Sequence, residues 1–154
     1  MGEVTHEQVN LMLRLYELRR EPRLRQAREW FIHEFSAATL EDLQKQCPPG
    51  SEPHTNFRMM VSYWVMVAGI MNRGLIDEEF FFEQGAEQYF VWERVKPFIA
   101  EVRTRFKNPY NLAHLEEHCK RLEAWWEKRA PGFIEVMRQN IRQIIKPAAQ
   151  AAGG

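Results

Sequence analysis

Apolar side chains recur every three or four residues along most of the chain, which is the spacing of one face of an α-helix. The first such stretch begins at Thr5, which forms a capping-box pattern with Gln8, and it ends before Pro22. A second begins at Pro22, and a short third covers residues 39–46. The apolar positions predicted to face the core from the first helix are Val9, Met12, Leu13 and Tyr16.

The segment from about His54 to Arg73 is apolar on nearly every face, which is typical of a buried helix. A loop rich in proline and glycine, residues 47–53, precedes it, and Gly74 is placed to end it. Its longest apolar run, residues 59–71, is shorter than the roughly 20 residues that cross a bilayer. This segment is therefore predicted to be the central helix of a soluble bundle, with no membrane contact.

The next apolar stripe is long and contains a proline. Asp77 is placed to cap its first turn, and the stripe continues to Lys107. Pro97 lies within it, and the proline ring would clash with the carbonyl group of residue 93. We therefore predict a kink or a new helix start near Lys96.

Two further helices complete the pattern, from Asn111 to Arg129 and from Pro131 to Pro147. No stretch alternates between apolar and polar residues as a half-buried strand does. The sequence thus predicts an all-α antiparallel bundle of five to seven helices. It is expected to form a single domain, residues 1–147, with a flexible tail at residues 148–154.

Charge and cysteine content narrow the class of protein. The 21 basic side chains balance the 21 acidic ones, whereas nucleic-acid binders usually carry a basic excess, so no nucleic-acid partner is expected. Residues 51–93 carry seven acidic and two basic side chains, whereas residues 94–154 carry six acidic and twelve basic side chains. Either acidic and basic helices pack together or the chain presents a charged binding face. Two cysteines are too few for a disulfide framework, and the polar first ten residues do not resemble a signal peptide, so a cytoplasmic location is expected.

Several short motifs follow one another along the chain: Ala27-Arg28-Glu29-Trp30-Phe31, Asn72-Arg73-Gly74-Leu75-Ile76-Asp77-Glu78-Glu79, Trp92 with Lys96-Pro97-Phe98-Ile99 and Arg103, and Asn108-Pro109-Tyr110. In this order they resemble a family of small bacterial helical proteins known only as a domain of unknown function. The resemblance covers about residues 11–126 and implies an all-helical fold in a bacterial protein, without implying any activity or catalytic residue.

A histidine pair at residues 114–118 matches the pattern H-x-x-E-H of inverted zinc peptidases. His114 and His118 share one face of a helix and could hold a metal ion, and Glu117 could polarise a water molecule. The only acidic residues downstream that could supply a third ligand are Glu123, Glu127 and Glu135. We favour a surface helix, with His118 bordering the apolar stripe and His114 beyond its edge.

The arginines near the start of the second helix and the two cysteines can each be interpreted as chemical or as structural residues. Five arginines between residues 19 and 28 could bind phosphate or an acidic partner. Interleaved glutamates instead favour a solvated face with ion pairs four residues apart, as in Glu21, Arg25 and Glu29. Cys119 lies on an apolar stripe and is expected to behave as a small hydrophobic residue, and Cys47 is expected to be unreactive.

The aromatic run Phe80–Phe82 contains more apolar surface than one face of a short helix buries, so one ring is expected to be exposed or at an interface. A homodimer through this run is one hypothesis, and an apolar ligand pocket among Trp64, Trp92 and the run is another.

No nucleotide-binding or nucleophile motif occurs in the sequence, and it assigns no catalytic, cofactor-binding or metal-binding residue. The predicted function is a non-enzymatic helical interaction module with an unidentified protein partner, although an enzyme stays open. The alternative is a small-molecule-binding protein or a metal-dependent hydrolase that uses His114, Glu117 and His118.

Overall fold

The structure, a computed structural model, describes the backbone of residues 2–151 and the side chains of residues 2–144. It confirms the all-α prediction, because 75% of the chain is helical and the described residues contain no strand. The eight helices of the described residues are α1 (His6–Arg19), α2 (Pro22–His33), α3 (Leu40–Gln46), α4 (Glu52–Asn72), α5 (Glu78–Phe82), α6 (Glu87–Arg105), α7 (Ala113–Arg129) and α8 (Phe133–Ala151).

Side-chain caps fix where several of the helices begin. The Thr5 hydroxyl accepts a hydrogen bond from the backbone of Gln8, and Thr39 forms a capping box with Asp42. Asp77 caps α5 by accepting from the backbone N–H of Phe80 at 2.9 Å. Each cap satisfies a backbone donor that has no partner within its own helix, and such a cap contributes about 1 kcal/mol.

Helix α4 lies at the centre of the bundle, as predicted. It packs most extensively against α2 and α7, which are distant from it in sequence, and it also contacts α6. Its buried residues include Trp64, Val67 and Ala68, and α6 adds a second buried face with Tyr89, Val95 and Phe98. The core therefore forms where α2, α4, α6 and α7 meet.

The predicted continuous stripe from Asp77 to Lys107 is in fact two helices, which brings the number above the predicted five to seven. Gly85, with φ of +147°, lies between α5 and α6 in a conformation that residues with side chains rarely adopt. The prediction of a new helix start near Lys96 is wrong, because α6 continues through Pro97. Pro97 is exposed, so it removes one backbone hydrogen bond while the opposite face of α6 keeps its core contacts.

The last helix also extends beyond its predicted end. Helix α8 continues past Pro147 to Ala151, so the first residues of the predicted flexible tail are helical. Residues 152–154 of that tail lie outside the described residues.

Acidic and basic segments lie against each other, which confirms the first interpretation of the charge asymmetry. Helix α7 pairs with α5, and α8 pairs with α6 and α7. The ion pairs are Arg121–Glu78 at 2.5 Å, Arg129–Glu79 at 3.8 Å, Arg129–Glu83 at 3.7 Å, Arg138–Glu93 at 3.5 Å and Arg138–Glu123 at 2.7 Å. None of the described helices is both long enough and apolar enough to cross a membrane.

Candidate functional site

A pocket of about 370 Å³ lies between α1 on one side and α4, α5 and the start of α6 on the other. This volume is within the range of about 300–1,000 Å³ that is typical of small-molecule sites. Most of the lining is apolar or aromatic, and the polar side chains come from the end of α1 and from residues 84–88. The lining residues are Met12, Leu13, Leu15, Tyr16, Arg19, Tyr63, Trp64, Phe81, Gln84, Gly85, Ala86, Glu87 and Gln88.

Helix α1 forms one wall of the pocket because it buries little of its apolar surface. Leu13 and Tyr16, which were predicted to face the core, are 48% and 51% exposed, and Leu15 is the one buried residue of the helix. The prediction of an inward face for these two residues is therefore wrong. Helical periodicity identifies an apolar face, but it does not show whether that face meets a neighbouring helix or borders a pocket.

Two hydrogen bonds hold α1 against the rest of the molecule. The Tyr63 hydroxyl donates to the backbone carbonyl of Leu15 at 2.5 Å, and the Gln8 side chain accepts from the backbone N–H of Asp77 at 2.8 Å. Burial raises the pKa of Tyr63, which keeps its hydroxyl protonated and able to donate. Helix α1 is thereby fixed near both ends while a space remains beneath its middle.

The Glu87 carboxylate organises the polar end of the pocket. Its Oε2 accepts from Arg19 Nη2 at 2.9 Å and from Arg28 Nε at 2.5 Å, and its Oε1 accepts from Trp64 Nε1 at 3.3 Å. The Arg19 guanidinium also lies 5.3 Å from the centre of the Trp64 ring, within the range of a cation–π contact. One carboxylate thus orients two cations and an indole around the pocket.

Two hydrogen-bond donors at this end have no partner among the described residues. They are Nε of Arg19 and the side-chain amide nitrogen of Gln88, and both atoms are buried. Buried donors are normally paired, and leaving one unpaired costs about 1–3 kcal/mol. Both residues line the pocket, and because the two nitrogen atoms are themselves buried, either side chain must rotate to donate to a molecule there.

The arginine cluster has a structural role different from the predicted one. Arg19 and Arg28 reach across the bundle to Glu87, and Arg23 donates to Asn56 Oδ1 at 2.7 Å. The predicted ion pairs of Arg25 with Glu21 and Glu29 do not occur. Glu21 instead caps α2 through the backbone N–H groups of Arg23 and Leu24, which lowers its pKa, and Glu29 lies 3.1 Å from His33.

The His114–His118 pair does not form a common site. His118 is fully buried between the rings of Phe81 and Phe82, so its predicted place at the border of the stripe is wrong. His114 is exposed, and its backbone carbonyl accepts from Asn72 at 3.1 Å. Glu117 pairs with Arg121 at 3.2 Å. The described residues contain no group of three metal-binding side chains, so the hydrolase hypothesis has no geometric support here.

The run Phe80–Phe82 faces inward more fully than predicted. Phe81 and Phe82 are buried, and Phe80 is half-buried against the core. The exposed aromatic surface that motivated a homodimer at this run is therefore missing. Of the residues named in the hypothesis of an apolar ligand pocket, Trp64 and Phe81 line this pocket, whereas Trp92 is buried and does not line it.

Both cysteines are buried and unpaired. Cys119 packs in the core with its thiol 3.4 Å from the carbonyl of Gln88, which confirms the hydrophobic role expected for it. Burial raises the pKa of Cys47 to about 11, so its thiol stays protonated and is a poor nucleophile.

A second recess of about 450 Å³ lies between α2 and the start of α4. It contains three carboxylates, Glu29, Glu34 and Glu52, and a single aromatic ring, Trp30. Sites for small organic ligands are lined mainly by apolar groups, so the pocket under α1 is the stronger candidate.

The sequence did not reveal the two features that define this pocket. Glu87 is one of seven acidic residues in its segment, and nothing in its neighbours indicates that two arginines 59 and 68 positions earlier would meet it. The exposure of Leu13 and Tyr16 depends on how far α1 stands from α4, which no local pattern specifies.

A comparison with protein-family models matches residues 4–122 to the domain of unknown function DUF4760. Searches among curated proteins and among solved structures found no match. The matched segment contains every residue that lines the pocket and excludes α8. Because the match covers most of the chain, this chain belongs to the DUF4760 family.

Proposed function

We propose that this chain is a small-molecule-binding protein and that its ligand occupies the pocket between α1 and helices α4 to α6. The observation that carries the proposal is the combination of an aromatic, largely apolar lining with a few polar groups that converge at one end. The predicted interaction module would instead be supported by a closed core and an exposed patch at Phe80–Phe82. The pocket supports the small-molecule proposal, and the burial of Phe81 and Phe82 gives no support to a module that binds through this run.

The pocket suits an amphipathic molecule. Leu13 and Tyr16 offer exposed apolar surface, and the rings of Trp64 and Phe81 are largely buried behind it. Arg19 and Gln88 carry the donors that have no partner among the described residues. Burying an apolar body against the exposed apolar surface contributes about 25 cal/mol for each Å² removed from water. A polar group at one end of the ligand would fix its orientation.

The proposal is tested by titrating the protein into the neutral fluorescent probe N-phenyl-1-naphthylamine, whose emission rises in apolar surroundings. Ala86, which lines the pocket, is replaced by Trp to fill the space. Ala100, an exposed residue in the middle of α6, is replaced by Trp as the matched control.

We expect saturable binding to the parent protein, binding at least about tenfold weaker in Ala86→Trp, and unchanged binding in Ala100→Trp. A tenfold loss corresponds to about 1.4 kcal/mol. Absence of saturable binding, or equal affinity in the two variants, would overturn the proposal.

A second candidate function is protein interaction, as the sequence predicted, in the form of self-association with a second copy of this chain. Phe133, Val136 and Ile144 are exposed apolar residues at helical spacing on α8, next to its buried residues Ile134 and Ile141. Light scattering across a concentration series tests it. A dimer that Val136→Glu converts to a monomer would support this function, and a strict monomer at millimolar concentration would remove it.

A cytoplasmic location, which the sequence led us to expect, is part of the proposal. It is supported by the two buried cysteines, which are unpaired as in proteins of a reducing compartment.

A further inference from the structure

Cations outnumber carboxylates at the polar end of the pocket. Arg19 and Arg28 share the single carboxylate of Glu87, and the Arg20 guanidinium lies 5.7 Å from the centre of the Tyr16 ring, which forms part of the wall. Glu87 is also the one acidic side chain among the residues that line the pocket. The ion cluster formed by Arg19, Arg28 and Glu87 therefore carries one net positive charge.

The Arg19 side chain has N–H donors that its described hydrogen bonds do not use. A guanidinium carries five N–H donors, and the described hydrogen bonds of the Arg19 side chain use one of them, from Nη2 to Glu87. About a quarter of the side chain remains exposed, so it is half-desolvated and still reachable from the pocket. A guanidinium in this state binds a carboxylate strongly, because two parallel charge-assisted hydrogen bonds form at once.

Glu87 positions Arg19 without neutralising the site. Arg28 and the indole N–H of Trp64 also bind this carboxylate, so its negative charge is divided among three donors. The surrounding apolar walls lower the local dielectric and strengthen the field of the remaining positive charge.

We propose that the ligand is an amphipathic carboxylic acid, with its apolar body against the exposed side chains of Leu13 and Tyr16 and its carboxylate on Arg19. This inference rests on the proposed function and adds the chemical class of the ligand. A small rotation of the Arg19 side chain would give the ligand the Nε donor that is buried and has no described partner.

Isothermal titration calorimetry with two probes of the same shape tests the proposal. The probes are 1-naphthylacetic acid and its neutral amide, 1-naphthylacetamide. The acid is expected to bind at least about tenfold more tightly, because hydrogen bonds between two charged groups are stronger than those that the neutral amide can form. Raising the salt concentration from about 0.05 M to about 0.5 M is expected to reduce that preference, because salt screens the exposed quarter of the Arg19 side chain.

Arg19→Gln is expected to lose the preference for the acid, so that the two probes bind this variant with nearly equal affinity. Arg25→Gln is the control, because Arg25 is exposed on α2 and does not line the pocket. The salt series uses the parent protein, so it decides the question even where Arg19→Gln folds poorly.

The outcomes separate the two proposals. If neither probe binds, the pocket itself is refuted as a binding site. If both probes bind with equal affinity at every salt concentration, the pocket is a binding site, but the proposal that it selects a carboxylic acid is wrong. Preference for the acid that survives Arg19→Gln in a folded protein also contradicts the assignment to Arg19.

Discussion

At the scale of single residues, Glu87 is the group on which the polar end of the pocket depends. Its carboxylate is largely buried and holds Arg19, Arg28 and Trp64, so removing its charge leaves two partly desolvated cations without a carboxylate. We expect Glu87→Gln to lower the free energy of unfolding by about 2 kcal/mol, measured by urea denaturation.

The matched control is Glu41→Gln. Glu41 pairs with Lys45 on the exposed face of α3, and exposed pairs of this kind contribute less than about 1 kcal/mol. Equal destabilisation by the two substitutions would show that Glu87 does not hold the site together.

His118 makes stability depend on pH. Burial, assisted by the positive charge of Arg121, lowers the pKa of His118 to about 4, whereas an unfolded histidine titrates near 6.5. The unfolded chain therefore takes up the proton first, so the stability present above pH 6.5 is lost as the pH falls towards 4. We expect this residue to account for a loss of about 2–3 kcal/mol between pH 7 and pH 4.5.

Comparison with His118→Leu isolates this effect from the titration of carboxylates. Urea unfolding of both proteins at the two pH values gives the free energy of unfolding that each protein loses between them, and the parent should lose more than the variant. If the variant and the parent lose equal stability, His118 is not held neutral by burial.

At the scale of helices, Pro97 shows that packing overrides a local signal. Its neighbours Val95, Phe98 and Ile99 are buried, and their contacts outweigh the backbone hydrogen bond that proline removes from α6. Since Pro97 itself is exposed, Pro97→Ala restores that hydrogen bond without disturbing the core.

We expect Pro97→Ala to raise the free energy of unfolding by about 1–2 kcal/mol, less than the full proline penalty of about 3 because proline also restricts the unfolded chain. Ala100→Pro, at an exposed position of the same helix, should destabilise by about 3 kcal/mol or more. A thermal melt in which Pro97→Ala unfolds earlier than the parent would contradict this explanation.

The sequence predicted those parts of the fold that local patterns control. Periodicity and capping residues such as Thr5 and Thr39 placed most of the helix starts, and the apolar run identified α4 as central. The break at Gly85 was missed because apolar periodicity resumes at the same spacing after it. The burial of His118 was missed because α5 covers it from a distant part of the sequence.

At the scale of the whole molecule, the pocket exists because α1 packs incompletely on an otherwise closed bundle. Helices α2, α4, α6 and α7 bury the core, while α1 is held by the Tyr63 and Gln8 hydrogen bonds and by the pairing of Arg19 with Glu87. The site depends on long-range contacts, so no single motif in the sequence marks it.

The indole N–H signals of the five tryptophans give the most direct measurement of ligand binding in this pocket. Trp64 lines the pocket and donates to Glu87, whereas Trp30, Trp92, Trp125 and Trp126 do not line it. In a ¹⁵N–¹H correlation spectrum, with Trp64→Phe assigning the Trp64 peak, titration with 1-naphthylacetic acid should move that peak saturably and leave the other four nearly fixed. A stationary Trp64 peak, or larger shifts at Trp125 and Trp126, would contradict a ligand site under α1.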